Sequence, residues 1–447
     1  MNTPIADYIN AYKKNNYIRL HVPGHKGKDG GLQECCDITE IDGADVLYHE
    51  TGILKESQIN ASRLFGTKKT LYSTEGSSLS IRAMLALIKM YAENSGKKPS
   101  VAAGRNAHKV FMTASALLDI EVSWIYPENT GSVISADFSP SFLRSFLESS
   151  DEIPTAVYIT SPDYLGNLAD IKGIADVCRE FNVLLVVDNA HGAYLRFLPE
   201  NMHPISLGAH MCCDSAHKTL PVLTGGAYLH ISCSAPEIII NNAERAMALF
   251  ASTSPSYLIL SSLDKANLYM SEKLKGELKC FTEKLDFLKS LLTDNGFVLS
   301  GSEPLKISLD CKKFGYTGIE FAEMLRSNGI ECEFSDPDFV VLMFTPSNSD
   351  AELEHLRKVL LAVERRDAVN DPIPSVVKCE QTLSVKEALF KNFIRIDTEN
   401  AVGRILASPC VTCPPAVPVA VCGEVLTAEA CEVFRYYGID RIDVIDE

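Results

Sequence analysis

At 447 residues the chain exceeds what one hydrophobic core usually holds, so two or three domains are expected. With 46% hydrophobic and 22% charged residues it has the composition of an ordinary water-soluble globular protein. A formal net charge of −16 argues against nucleic acid or an anionic membrane as the main partner, because both are bound through basic surface.

The opening MNTPIADYINAYKKNN is polar and lacks the apolar core of a secretory signal. No run of 18 apolar residues suggests a membrane span. A cytoplasmic location is expected, with the 14 cysteines reduced. HVPGHKGK carries His21 and His25, but Pro23 and Gly24 force a turn between them. The two rings therefore share no helix face, and no metal is expected there.

From about residue 65 to 232, short apolar runs alternate with amphipathic stretches. TLYST, PSVAAG, EVSWIYP, TAVYITSP, VLLVVDNA and GGAYLHIS read as strands; SLSIRAMLALIKMYAE and LADIKGIADVCREF read as helices. Continuous apolar strands alternating with helices predict an α/β fold with a largely parallel sheet covered on both faces. In such sheets function gathers at the carboxyl ends of the strands. Here those ends carry STEGSS, GRNAHK, SPDYLG and DNAHG, which suggests a single site.

Residues 241 to 295 read as helical, and PLKISLDC through AELEHLRKVLLAVERR follows a β-α-β-β-α order, a small α+β domain. NDPIPS resembles a linker, and a proline-rich C-terminal α+β unit begins near 378. The expected division is 1–30, 31–270, 271–370 and 371–447. PCVTCPPAVPVAVCG contains Cys410 and Cys413, with Cys422 and Cys431 beyond. A structural zinc usually shows a second close pair, so packed, reduced cysteines are expected instead.

Three features share one sheet. Gly76, Ser77 and Ser78 stand at a strand-to-helix turn, where close backbone approach, hydroxyls and a helix N-terminus suit a phosphate; alone, the motif is more commonly a plain serine N-cap. Asp188 ends a buried strand, as a turn cap or as the partner of a cationic ring nitrogen; His191 follows, to pack over a planar ligand or to bond its loop. Lys218 precedes another strand, where loss of hydration makes a lysine amine nucleophilic toward carbonyls. A phosphate turn, an aspartate and a lysine in this order are what pyridoxal 5'-phosphate requires for its phosphate, pyridinium nitrogen and aldehyde. Ser215 and His217 are further phosphate donors, and His108 in GRNAHK can stack on a pyridine face.

HVPGHKGK, GRNAHK, SPDYLG, DNAHG, SAHKTLPVLT, TSPSYLILSSLDKA and AVGRILASPCVTCPPAVPVAVCGEVLT together resemble the Orn/Lys/Arg decarboxylases, over nearly the whole chain. The resemblance implies the aspartate aminotransferase fold (fold type I), with a mostly parallel seven-stranded sheet in the large cofactor-binding domain. It implies a pyridoxal phosphate enzyme that decarboxylates a basic amino acid, arginine before lysine or ornithine. By the same resemblance Lys218 bonds the cofactor aldehyde, Asp188 pairs with the ring nitrogen and His108 stacks on the ring. Ala190 and His191 line its second side; Ser77, Ser78, Ser215 and His217 hold the phosphate. Thr253 or Ser254 would approach from a second subunit, in a homodimer or tetramer with the active site at the interface. Lys218 or His217 would return a proton to the substrate. The chain resembles the compact members, which lack an N-terminal wing domain.

It departs from the family in three places. Gly-Ser-Ser stands where Gly-Thr-Ser is usual, Gly225 where glutamine is common, and CPPAVPVAVCGE where YPPGIP…PGE is usual. Cys413 to Pro418 thus lose an aromatic and a glycine, while Glu424 is kept, with a structural role expected. Asp45, Glu50 and Glu75 are all candidates for the substrate's distal cation. Two other readings stay open: another fold type I enzyme such as an aminotransferase or lyase, and a non-catalytic binding protein.

Overall fold

The computed structural model describes all residues except 29, 129–131, 136–137, 410–416 and 447. Seven strands form the main sheet: β1 (Lys69–Ser73), β2 (Ser100–Gly104), β3 (Glu121–Ile125), β4 (Ala156–Thr160), β5 (Leu184–Asp188), β6 (Met211–Asp214) and β7 (Ala227–Ile231). Their order is β1-β7-β6-β5-β4-β2-β3. β5 and β6 run parallel, as do β2 and β3, whereas β7 is antiparallel to both of its neighbours. β1 therefore points the same way as β5 and β6, so the carboxyl ends of all three share one edge. This is the α/β architecture expected from the sequence.

Six of these strands coincide with predicted runs. β6, of sequence MCCD, does not: four residues with two cysteines and a terminal aspartate carry too little apolar periodicity to be legible. It is nevertheless wholly buried.

The chain divides into two compact units, one of Met1–Lys98, Thr155–Val157 and Ile171–Leu278, the other of Pro99–Pro154, Tyr158–Asp170 and Lys279–Glu447. In the first, the helix Ile171–Glu180 buries Ile171, Ile174, Ala175, Val177 and Cys178, a single stripe at helical spacing. The helix Gly76–Asn94 packs against the helix Glu237–Ala248. The helix Pro4–Lys14 is tied down at its start, where the Ile5 and Ala6 amides both donate to Asp264 Oδ2 at 3.0 Å.

The second unit holds a four-stranded antiparallel sheet of β8 (Leu299–Ser300), β9 (Lys306–Asp310), β10 (Phe334–Ser335) and β11 (Phe339–Met343), in the order β10-β11-β9-β8. Its helices Gly318–Ser327 and Asp350–Leu361 each start with a capping box, at Thr317/Glu320 and Ser349/Glu352. Toward the C-terminus, β12 (Glu380–Gln381) pairs with β14 (Glu424–Val425), and β13 (Phe393–Asp397) with β15 (Arg441–Ile445). Phe339 and Val341 share a core with Leu406, Val419, Phe434 and Val444, so the C-terminal unit packs on the small sheet. Among the described residues, no helix is long and apolar enough to cross a membrane.

Candidate active site

The register of β5 against β6 sets Asp188 beside Cys213. Asp188 is 3% exposed. Its Oδ1 accepts the Ala190 amide at 3.2 Å and the Cys213 thiol at 3.4 Å. Burial first, and then the charge of Asp188, pushes the Cys213 thiol well above its ordinary pKa. It therefore stays protonated and donates.

Beyond β6 the chain makes one short helical turn, Ala216–Thr219, and the Lys218 amide bonds the Ser215 carbonyl at 2.9 Å. The Ser215 hydroxyl donates to Ser77 Oγ at 2.8 Å. Ser77 and Ser78 lie in the first turn of the 19-residue helix Gly76–Asn94, whose N-terminus is the positive end of its dipole. Gly76 has φ +69°, and a Cβ there would meet nothing within 4 Å, so the space in front of this turn is open. Lys218 Nζ stands 2.9 Å from His191 Nε2, an ammonium donating to a ring nitrogen. Ser77, Ser215, Lys218, His191, Ala190 and Asp188 are thus joined through two adjacent strand ends and one helix start, all in the first unit.

His217 Nδ1 lies 3.0 Å from the Gly226 carbonyl. A carbonyl only accepts, so Nδ1 carries the hydrogen and Nε2 can donate only from the imidazolium. Gly225 has φ +98°, and a Cβ there would come within 2.8 Å of the Thr74 carbonyl oxygen. Its own carbonyl accepts the Gly76 amide at 2.7 Å. The glycine that departs from the family pattern therefore closes the loop after Lys218 onto the phosphate turn.

Thr253 and Ser254 are exposed, in a loop tied to its own chain by the Ser252 amide, which donates to Glu75 Oε1 at 2.7 Å. The three carboxylates left open by the sequence are distinguished by their partners. Asp45 accepts amides from Val46, Thr51, Gly52 and Leu54, which occupies both oxygens in ordering the start of the helix Ile53–Phe65. Glu75 holds Ser252. Glu50 accepts from Gln58 Nε2 at 2.6 Å, and burial raises its carboxyl above the ordinary range.

His108 belongs to the second unit. There it caps the helix Lys109–Leu118, its Nδ1 accepting the Val110 amide at 3.2 Å. That capping role was not foreseen. In the same unit Arg105, 1% exposed, donates to the Pro418 carbonyl at 2.9 Å and the Val419 carbonyl at 3.0 Å. Its guanidinium is 3.8 Å from Glu424 Oε2, and Glu424 accepts the Val421 amide at 2.7 Å. Glu424 thus organises its own turn, the structural role expected of it. Cys410, Cys413 and the rest of 410–416 lie outside the described residues; Val417 and Pro418 are buried.

Sequence reasoning missed Asp214 and its partners. His203 Nε2 and His230 Nε2 both lie 3.1 Å from Asp214 Oδ2, and Asn189 Nδ2 donates to Oδ1 at 2.7 Å. His203 lies 11 residues before Asp214 but sits in no motif, so no spacing signal pointed to it.

A family model described as the Orn/Lys/Arg decarboxylase major domain matches residues 3–299. The arginine decarboxylase of Bacillus subtilis is 26% identical over 465 residues, covering 96% of this chain and 92% of its own length. The arginine decarboxylase of Bacillus anthracis is 26% identical over 466 residues, covering 97% and 92%. The crystal structure of the Francisella novicida lysine decarboxylase shares the fold, with a TM-score of 0.79 at 18% identity, over 99% of this chain and 81% of that one.

Proposed function

The chain belongs to the Orn/Lys/Arg decarboxylase family, and from that membership we propose that it removes the α-carboxylate of a basic L-amino acid. Arginine is the favoured substrate, giving agmatine, a polyamine precursor, and carbon dioxide; lysine and ornithine come next. The preference for arginine rests on the relatives at 26% identity that carry that name. One observation carries the reading: Ser77 and Ser215 meet at a helix start, and Lys218 stands three residues beyond Ser215 with its Nζ on His191.

The donor set fits pyridoxal phosphate. Paired hydroxyls and an open helix N-terminus suit its phosphate, a buried carboxylate suits its ring nitrogen, and an amine suits its aldehyde. Ser77, Ser78, Ser215, the Gly76 turn and His217 would hold the phosphate; Thr253 or Ser254 of a second copy would complete it. Asp188 would keep the ring nitrogen protonated, with Ala190 and His191 beside it. When bound, the cofactor supplies an electron sink for the bond to the departing carboxylate.

The chain's own residues supply the rest. Asp188 is held in one orientation by Ala190 and Cys213, so its charge faces a fixed direction without reorganising. His191 accepts from Lys218 Nζ and so can take a proton from the amine before it reacts. Lys218 or His217 would return a proton to Cα. Glu50, whose half-buried carboxyl is raised by burial and would be eased by an incoming cation, is the receptor favoured for the substrate's distal group.

A homodimer or tetramer in the cytoplasm completes the proposal. Ile18 (87% exposed), Leu20 (90%) and Leu32 (78%) stand out on one N-terminal segment, an apolar surface that a second copy would cover. Incubation with arginine, lysine and ornithine separately, measuring carbon dioxide and amine, tests the reading. One of the three should yield both in equal amounts. Amino transfer to a keto acid without carbon dioxide would replace the proposal with an aminotransferase.

A further inference from the structure

Beneath the strand ends a chain of side-chain hydrogen bonds crosses half the sheet. Thr67 Oγ1 meets Thr70 Oγ1 at 2.7 Å, and Thr70 Oγ1 meets His230 Nδ1 at 2.9 Å. His230 Nε2 meets Asp214 Oδ2 at 3.1 Å, and Asp214 Oδ1 receives Asn189 Nδ2 at 2.7 Å. His203 adds a second imidazole to Asp214 Oδ2 at 3.1 Å. The links follow the strand order β1-β7-β6-β5, with His230 opposite Thr70 on one side and Cys212 on the other.

Asp214, His203 and His230 are all 0% exposed, and the Phe65 ring centroid lies 4.4 Å from that of His230 and 5.3 Å from that of His203. In such a dry enclosure a carboxylate persists only if donors surround it. Burial alone would raise the Asp214 carboxyl; His203 and His230 overcome that and hold it below the ordinary range. Three donors converge on a group that can only accept, so both imidazoles present Nε2–H. The three ligand-type atoms lie within 4.8 Å of one another, a spacing that also suits a metal ion. Both nitrogens, however, already sit at hydrogen-bond distance from the same oxygen, where a proton and not an ion belongs.

The ends of this chain adjoin the proposed chemistry. Asn189 directly follows Asp188, and Asp214 directly precedes Ser215 and the turn that carries Lys218. The main chain joins the same residues, with the Asn189 amide on the Cys213 carbonyl at 3.0 Å and the Ser215 amide on the Ala190 carbonyl at 3.2 Å. We propose that Asp214, clamped by His203 and His230, is a positioning residue that fixes the two strand ends bearing Asp188 and Lys218 relative to each other. The inference rests on the proposed function only in taking those two residues as catalytic.

The test compares the full chain with Asp214→Asn and with the exchange Asn189→Asp/Asp214→Asn, which restores one donor facing one acceptor. In cofactor-free protein, amide exchange over residues 186–192 and 211–220 should be about tenfold faster in Asp214→Asn, with β9 and β11 unchanged. The exchange variant should recover most of that loss. In protein loaded with pyridoxal phosphate, Asp214→Asn should lower kcat about tenfold or more with KM within about threefold, and should shift the pH midpoint of the visible absorbance. If Asp214→Asn does not accumulate as folded protein, His203→Gln, which keeps an amide donor, is read by the same measurements with smaller changes expected. A variant that melts earlier but keeps the absorbance midpoint and kcat would overturn positioning in favour of plain stabilisation. Stoichiometric zinc in the purified protein would overturn the hydrogen-bonded reading itself. Because amide exchange in the cofactor-free chain is independent of the reaction, absence of decarboxylation would sink the proposed function alone.

Discussion

Lys218 and His191 form a pair whose meaning changed once their geometry was known. The sequence suggested that His191 lies along a ring face; its Nε2 also stands 2.9 Å from the lysine amine, within hydrogen-bond distance. Asp188, Ser77 and Ser215 were legible because each ends a recognisable strand or begins a helix. Cys213 and Asp214 were not, because their partners come from distant stretches of the chain that only the fold brings together. Asp188→Asn should lower kcat by about a hundredfold or more with little change in KM, since a neutral amide cannot hold a ring nitrogen protonated; steady-state kinetics with saturating cofactor checks this. Gly225 stands where glutamine is common in the family, but its positive φ requires glycine, as does the Thr74 carbonyl oxygen, 2.8 Å from where a Cβ would stand. Gly225→Gln should therefore destabilise the first unit by about 1–3 kcal/mol in denaturant titration rather than broaden substrate choice.

At the scale of elements, long periodic segments were readable and short ones were not. The helix Ile171–Glu180 announces itself by its apolar stripe, β9 (KISLD) by its alternation of polar and apolar residues, and β11 (FVVLM) by its continuous apolar run. β6 has only four residues, and its place between β5 and β7 is set by pairing that no local pattern encodes. In the loop 45–52 a polar residue that is a candidate for ligand binding also serves an element. Asp45 gathers the Thr51, Gly52 and Leu54 amides where the helix Ile53–Phe65 begins. Asp45→Ala should cost about 1–2 kcal/mol of stability, measured by thermal or denaturant unfolding, while leaving the substrate KM nearly unchanged. A large rise in KM at full stability would make Asp45 a substrate contact after all.

For the molecule as a whole, the α/β class of the main sheet was legible, whereas the buried ionisable groups of the second unit were not. Asp336 is the clearest case. Burial raises its carboxyl to about 7, while its Oδ1 accepts the Asp338 amide at 2.8 Å and the Phe339 amide at 2.6 Å. Between the ordinary carboxylate range and about pH 7 the folded protein keeps a proton that the unfolded chain has lost. This contribution is full at low pH and disappears as pH rises through about 7. Asp336→Asn should flatten the fall in stability over that window by up to about 4 kcal/mol, read from denaturant midpoints at stepped pH. No such slope in the wild-type protein would contradict it. The central claim, that Lys218 is the residue that bonds the cofactor in this decarboxylase-family chain, has a more direct test. Protein loaded with pyridoxal phosphate is reduced with borohydride, digested and analysed by mass spectrometry. The account predicts the phosphopyridoxyl mass on Lys218, with the label and decarboxylation both lost in Lys218→Ala. A label on another lysine, or turnover surviving in Lys218→Ala, would contradict it.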